Sequence, residues 1–459
     1  MLKKNGQVVF GVVVSLLLLV FIAFITSAKL PLQTIYIIFL IAPLVFIITF
    51  LNTDVALIIL IFSMLLSPEL KIAEIPQRVV VMRVDDILLI VVFFSWLAKM
   101  AINKRLGLLR RTPINLLIIA YISVCLLSTG IGIFVGHIQP SKSFFYILKY
   151  AEYFMLYFLV INNIRNKKQI KTFMTAFFIV CGITCTYAMV TLGKFERATA
   201  PFEGICGEPN TLGAYLILLI AMCIGFILYS PLSTWRFSSG ALACLTVITF
   251  LFTLSRGSYL GFVFMYLAII VLNKRKRLVL IGMLILAIFI LPVILPSRVT
   301  GRITETFVPG KVYRPLGRRI VVDESTSARI ESWSTVFEKW KKRPILGYGV
   351  TGVGFLDTQY PRVLGEVGVV GFFIFVWLMV TIFRHGLYVF NNTEDDWARG
   401  LTLGFLAGFV GLLIHAFSAS TFIIVRIMEP FWFFAAIVMV LPRVVKMKSP
   451  EREMTIDAT

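Results

Sequence analysis

Charge is scarce in this chain. Lys, Arg, Asp and Glu make up 15% of its 459 residues, where a water-soluble domain carries roughly a quarter. A soluble globular fold is excluded on that count. Disorder is excluded as well, because it needs high charge and low hydrophobicity, and 59% of this sequence is hydrophobic. Cysteine is rare: 6 residues cannot build the dense framework of a small secreted disulfide scaffold. Histidine is rarer still, at 3. Neither His137 nor His415 has a Cys or carboxylate at metal-ligand spacing, so no metal site is expected. Acidic residues number 23 against 44 basic ones, a net charge of +21. In a soluble protein that imbalance would point to nucleic acid. In a membrane protein the cytoplasmic loops collect Lys and Arg, and no nucleic-acid partner is expected.

Long apolar runs are what the chain has in abundance. About fourteen are close to the ~20 residues that a bilayer core requires, at 7–27, 31–50, 54–68, 85–102, 114–135, 143–162, 172–192, 210–230, 237–254, 257–273, 278–295, 366–384, 400–417 and 424–442. The first lacks a small-residue cleavage site and reads as a retained helix. Basic clusters occur at Lys3–Lys4, Lys104–Arg111, Arg165–Lys171, Lys274–Arg277 and Arg443–Lys448. An even number of spans puts all five on one side, which the positive-inside rule makes the cytoplasm. The expected fold is therefore an all-α, polytopic transmembrane helical bundle. It divides into 1–295 with eleven helices, a partly helical extracytoplasmic loop over 296–365, 366–442 with three helices, and a cytoplasmic tail over 443–459.

The polar material outside those basic clusters gathers on the opposite side, in four places. Residues 194–213 carry Arg197 ahead of a helix start at Pro209-Asn210, and a helix N-terminus beside an arginine suits an anion. Residues 255–261 hold Arg256 in a Ser-Arg-Gly-Ser turn between two spans, at the membrane boundary, where ionisable residues are functional candidates. Over 327–342 the spacing of Ile330, Trp333, Phe337 and Trp340 predicts a helix with Ser327 as its cap and Pro344 as its stop. That helix carries Arg329, and lies either at the membrane surface or against the bundle. Lastly, 344–371 is glycine-rich and contains Asp357, Tyr360, Arg362 and Glu366. Asp357 is the expected proton acceptor, kept ionised by nearby arginines. Glu366 is either a second carboxylate or a holder of Arg362. Cys125, Cys181, Cys185, Cys223 and Cys244 read as small apolar residues within spans, and Cys206 has no obvious partner, so no disulfide is expected. Lys149 and Glu152 lie i,i+3 on one helix face and should neutralise each other.

Taken in order, these groups resemble the O-antigen ligase and O-antigen polymerase superfamily of membrane glycosyltransferases. The resemblance covers roughly 140–440. It rests on Arg197 before Pro209-Asn210, on Ser255-Arg256-Gly257, on Arg329…Trp333…Pro344-Ile-Leu-Gly347-Tyr-Gly349, and on Asp357, Tyr360, Glu366, Gly368 and Gly371. Ligases of this family carry a histidine, regarded as the base, nine residues before the glutamate matching Glu366. Asp357 stands there instead, which favours the polymerase branch.

The resemblance implies polymerisation of polyprenyl-diphosphate-linked oligosaccharide repeat units into a surface polysaccharide. The reaction would take place on the outer side of the cytoplasmic membrane, without cofactor or metal. It also implies roles: Asp357, Arg256 and Arg329 catalytic, with Arg197, Tyr360, Glu366 and Asn210 binding substrate. The implied partners are the lipid-linked glycan donor, a glycan or lipid-linked acceptor, membrane lipids, a chain-length regulator and a flippase. Three alternatives stand beside it. A ligase would transfer the glycan to a lipid or other acceptor. A lipid-linked glycan transporter would need a midplane cavity, with Lys149 as its most suitable lining residue. A non-catalytic scaffold would leave the outer arginines pointing apart.

Overall fold

A computed structural model of the chain describes residues 43–75, 78–102, 109–202, 208–304, 311–313, 320–322, 324–354 and 356–447. The first expected span and residues 31–42 of the second lie outside them, as do Cys206 and most of the tail. After a helical stretch over 43–51, the chain forms α1 (Thr53–Leu66), a hairpin of β1 (Glu69–Ile75) and β2 (Arg78–Arg83), α2 (Val84–Ile102) and α3 (Asn115–Phe134). It continues through α4 (Pro140–Asn163), α5 (Lys167–Thr191), α6 (Pro209–Tyr229), α7 (Ser233–Phe252), α8 (Arg256–Leu272) and α9 (Arg277–Ile294). The expected loop region holds α10 (Ser297–Thr304), a short hairpin of β3 (Lys311–Tyr313) and β4 (Ile320–Val322), and α11 (Glu324–Lys342). The final helices are α12 (Gln359–Asn392), α13 (Asp396–His415) and α14 (Val425–Val444). Both hairpins are two-stranded and antiparallel.

This is a helical membrane bundle. Each expected span from the third to the last overlaps one helix, and among the described residues eight helices are long and apolar enough to cross a membrane, with three shorter apolar ones besides. The helix ends follow capping chemistry. Asn166 and Gln169 close a capping box at the start of α5, and Asp395 caps α13 by accepting from the Ala398 amide at 2.9 Å; each satisfies orphan N–H groups. α6, α13 and α14 are buried nearly all round, which is why their sequences carry little helical period. α6 and α13 touch backbone to backbone. A Cβ on Gly404 would lie 2.6 Å from the Met222 Cα, and one on Gly400 2.7 Å from the Gly225 carbonyl. Small residues four apart on α13 (Gly400, Gly404, Gly408) make that approach possible. Leu278, Phe289 and Val293 of α9 point outward, as a lipid-facing helix requires.

Lys3–Lys4 lie outside the described residues; Arg110, Arg111, Lys167, Arg443 and Lys446 of the other basic clusters are tied to helix ends and their neighbours. Arg110 donates to the Ile161 and Ile164 carbonyls at 3.0 and 2.8 Å, and Arg443 donates to Arg111. Lys167 pairs with Asp395, and Lys446 pairs with Glu394 at 3.2 Å. Burial pushes the Asp395 carboxyl up, but Lys167 and the Ala398 amide outweigh it, and the group titrates below the usual carboxylate range.

Lys149 and Glu152 do pair, at 3.2 Å, but within a larger network than the sequence reading drew. Lys149 also meets Asp86, and Arg83 pairs with Asp85 at 2.6 Å. Ser67 donates to Asp85 at 2.7 Å. Glu429 of α14 is buried in the same electrostatic neighbourhood.

Candidate functional site

At the other end of the bundle the chain brings together arginines from separate loops. Ser255 caps α8, its hydroxyl accepting from the Ser258 amide at 3.3 Å, so Arg256 is the first helical residue. Ser255 also donates to Asn210 Oδ1 at 2.7 Å, which ties the start of α8 to the start of α6, where Pro209 sits in the first turn. The expected helix start at Pro209-Asn210 and the Ser-Arg-Gly turn are thus hydrogen-bonded neighbours. Leu254, just before them, has φ of +50°, and the bent backbone turns its carbonyl outward. Arg197 seizes it. Its Nε donates to the Thr253 carbonyl at 2.9 Å and its Nη2 to the Leu254 carbonyl at 3.1 Å. Arg302 of α10 reaches the same Leu254 carbonyl at 3.4 Å. Burial, with the positive charges of Arg302 and Arg256, holds the Arg197 guanidinium below the usual arginine range. Three guanidinium groups therefore share one neighbourhood, and Arg302 was not among the residues selected from the sequence. Its only mark there was its place in the long loop.

Arg329 arrives from a different direction. α11 begins at Glu324, a turn earlier than expected. Ser327 therefore sits inside the helix and does not cap it, and the helix stops at Lys342 ahead of Pro344. The buried face is also rotated from the predicted stripe. Val336 is buried against Val353 and Leu356, whereas Ile330 and Phe337 are exposed. Trp333 stacks on Phe417 at 6.4 Å between centroids. The helix thus packs on the bundle through one side and keeps apolar residues on the other. Arg329 acts electrostatically on His415, the last residue of α13. The His415 ring in turn borders the Arg256-Gly257 turn, since a Cβ on Gly257 would lie 3.8 Å from its Cδ2.

The glycine-rich stretch is a docking surface for a broken helix. α12 runs over 34 residues with a kink at Gly368, whose φ is +65°. The kink frees backbone groups that the preceding loop takes up. The Tyr348 and Gly349 amides donate to the Gly365 and Glu366 carbonyls at 3.0 and 2.8 Å, and the Val369 amide donates to the Pro344 carbonyl at 2.9 Å. Glu366 is buried, and its Oε1 accepts from Arg362 Nε at 3.1 Å and from the Thr351 amide at 2.9 Å. Of its two expected roles, holding Arg362 is the one with contacts. Tyr360 donates its hydroxyl to the Leu413 carbonyl at 2.6 Å, and its ring lies 4.5 Å from Phe417.

Asp357 is exposed, just ahead of α12. Arginines were expected to flank it, but it makes no ion pair among the described residues, because Arg362 is taken by Glu366. Among the described residues no cluster of His, Cys, Asp and Glu has the make-up of a metal site.

No curated protein matches the chain. The family model described as O-antigen ligase matches residues 240–376, a stretch that contains Arg256, Arg302, Arg329, Asp357, Tyr360 and the kinked start of α12. With the helical membrane bundle around it, that match makes this stretch of the chain similar to the O-antigen ligase family.

Proposed function

We propose that this protein polymerises polyprenyl-diphosphate-linked oligosaccharide repeat units into a surface polysaccharide at the outer side of the cytoplasmic membrane. The observation that carries the reading is the gathering of Arg197, Arg256 and Arg302 on one turn, with Arg329 beside the neighbouring His415. A site of concentrated positive charge at one end of an apolar bundle suits an anionic headgroup attached to a lipid. The basic ends of the helices, at the opposite end of the bundle, would face the cytosol.

In the reaction, a sugar hydroxyl of one lipid-linked glycan attacks the anomeric carbon of another. A new C–O bond forms as the bond to the diphosphate breaks, and the polyprenyl diphosphate departs with the electron pair. Negative charge grows on it in the transition state, where Arg256 and Arg329 act and Arg197 assists. Losing one such preorganised contact typically costs ~10²–10³ in rate. Asp357, solvent-facing and without an ion pair among the described residues, takes the hydroxyl proton, a step worth ~10²–10⁴. Asn210, Tyr360 and Glu366 hold the frame: Asn210 joins α6 to α8, Tyr360 fixes α12 to α13, and Glu366 seats Arg362. The transporter reading calls for Lys149 in an aqueous cavity, and here carboxylates engage it on two sides. The scaffold reading calls for arginines pointing apart.

The decisive experiment complements a deletion strain with Arg256→Ala and Arg329→Ala and examines surface glycan by gel. Loss of long chains with single repeats retained is the expected result. Wild-type chains from both variants would refute the reading, and polymer accumulating on its polyprenyl carrier would assign the chain to the ligases.

A further inference from the structure

Where the start of α12 packs on the turn between α13 and α14, polar atoms are left unused by the fold among the described residues. His415, Gln359 and Thr358 are 0%, 0% and 1% exposed. Among the described residues, His415 Nε2, Gln359 Nε2 and Thr358 Oγ1 have no hydrogen-bond partner. Buried polar groups are nearly always paired, so three orphans at one junction call for a reason. The junction is tightly built: the Gln359 amide donates to the Ala416 carbonyl at 3.0 Å. The other atom of each long side chain is committed to the same turn. His415 Nδ1 meets Thr421 Oγ1 at 2.8 Å, and Gln359 Oε1 accepts from the Phe422 amide at 3.0 Å.

In the neutral imidazole Nε2 is a donor or an acceptor according to the tautomer. Gln359 Nε2 offers two donors, and Thr358 Oγ1 one donor and an acceptor. Neighbouring uncharged donors and acceptors suit the hydroxyls of a neutral sugar, each of which both donates and accepts. Phe417, 48% exposed, and Tyr360 lie alongside as apolar walls, and Asp357 immediately precedes Thr358.

We propose that His415, Gln359 and Thr358 form the subsite that binds the acceptor sugar, next to the arginines that bind the diphosphate. This rests on the polymerase reading and deepens it. Phe417 turns aside to admit the ring, His415 Nε2 and Gln359 Nε2 grip its hydroxyls, and Asp357 receives the proton of the attacking one.

Two substitutions remove the unused atoms. His415→Asn keeps a polar partner for Thr421 and deletes Nε2 with the far side of the ring; Gln359→Glu keeps the acceptor for Phe422 and replaces the NH2 with a carboxyl oxygen. Each should lower the yield of long surface chains in a complemented deletion strain about tenfold, the size expected for one lost hydrogen bond. Binding of sugar-free undecaprenyl diphosphate to the purified full-length protein, followed by tryptophan fluorescence, should stay at the wild-type Kd. Wild-type chain length in both variants overturns the subsite. So does failure of both variants to accumulate or to bind undecaprenyl diphosphate, which would make these groups packing or water-binding residues. If Arg256→Ala and Arg329→Ala bind undecaprenyl diphosphate as the wild type does, the diphosphate reading fails instead, whatever the two subsite variants do.

Discussion

Arginine at a membrane boundary is conspicuous because charge there is costly, so Arg197, Arg256 and Arg329 could be singled out from the chain itself. What each touches could not. Arg197 spends two of its donors on the carbonyls of Thr253 and Leu254, and so braces the turn that carries Arg256. Arg197→Ala should therefore impair polymerisation through the position of Arg256, with chain yield falling by about 10²-fold or more; near-normal yield would separate the two residues. Arg256→Lys should not restore activity if the diphosphate is held by the planar, two-pronged face of a guanidinium, which an ammonium lacks; full chains from that variant would show that a point charge suffices. Asp357→Asn should cost on the order of 10²-fold in chain synthesis and leave protein levels normal, given its exposure. In the sequence His415 is weighed only as a metal ligand and lacks a Cys or carboxylate at ligand spacing; what distinguishes it in the structure is an Nε2 without a hydrogen-bond partner among the described residues.

Whole elements were legible where the apolar run alone determines them, as for α3, α6 and α13. They were less so where partners intervene. The stripe on α11 has the right period, but a helix buried on one side and exposed on the other can rotate, and contact with Val353 and Leu356 selects Val336 as the inward residue. α12 runs longer than its apolar stretch because the Gln359–Val367 segment is held by its neighbours. Its kink belongs to Gly368, whose φ of +65° with ψ of −168° falls in a region reserved almost wholly for glycine and costs another residue about 1–3 kcal/mol. An added Cβ there would also strike the Ile345 carbonyl. Gly368→Ala should lower the melting temperature in detergent and release the 344–351 loop, seen as faster amide exchange there. An unchanged melting temperature would mean that the loop does not depend on the kink.

At the scale of the molecule, two features hold the bundle. One is the glycine seam between α6 and α13: Gly404→Leu should cost about 1–3 kcal/mol or more through overpacking and reduce the amount of folded protein in membranes. The other is the buried network of Arg83, Asp85, Asp86, Lys149 and Glu152. Lys149→Met leaves two carboxylates without their cation and should cost about 3–5 kcal/mol. Retention of surface glycan in whatever protein still folds would mark that network as structural and not part of the reaction.

The sequence by itself determined the class of this protein, because a bilayer demands apolar runs of set length and a charge bias between the two sides, and both are local and countable. It also pointed to the arginines, since charge stands out against an apolar background. Only the tertiary structure decided which of them meet, that Arg302 joins them, that Glu366 serves Arg362, and that His415 and Gln359 have atoms to spare. Those facts depend on contacts between residues far apart in the chain, and such contacts are set by how helices pack and where backbones bend.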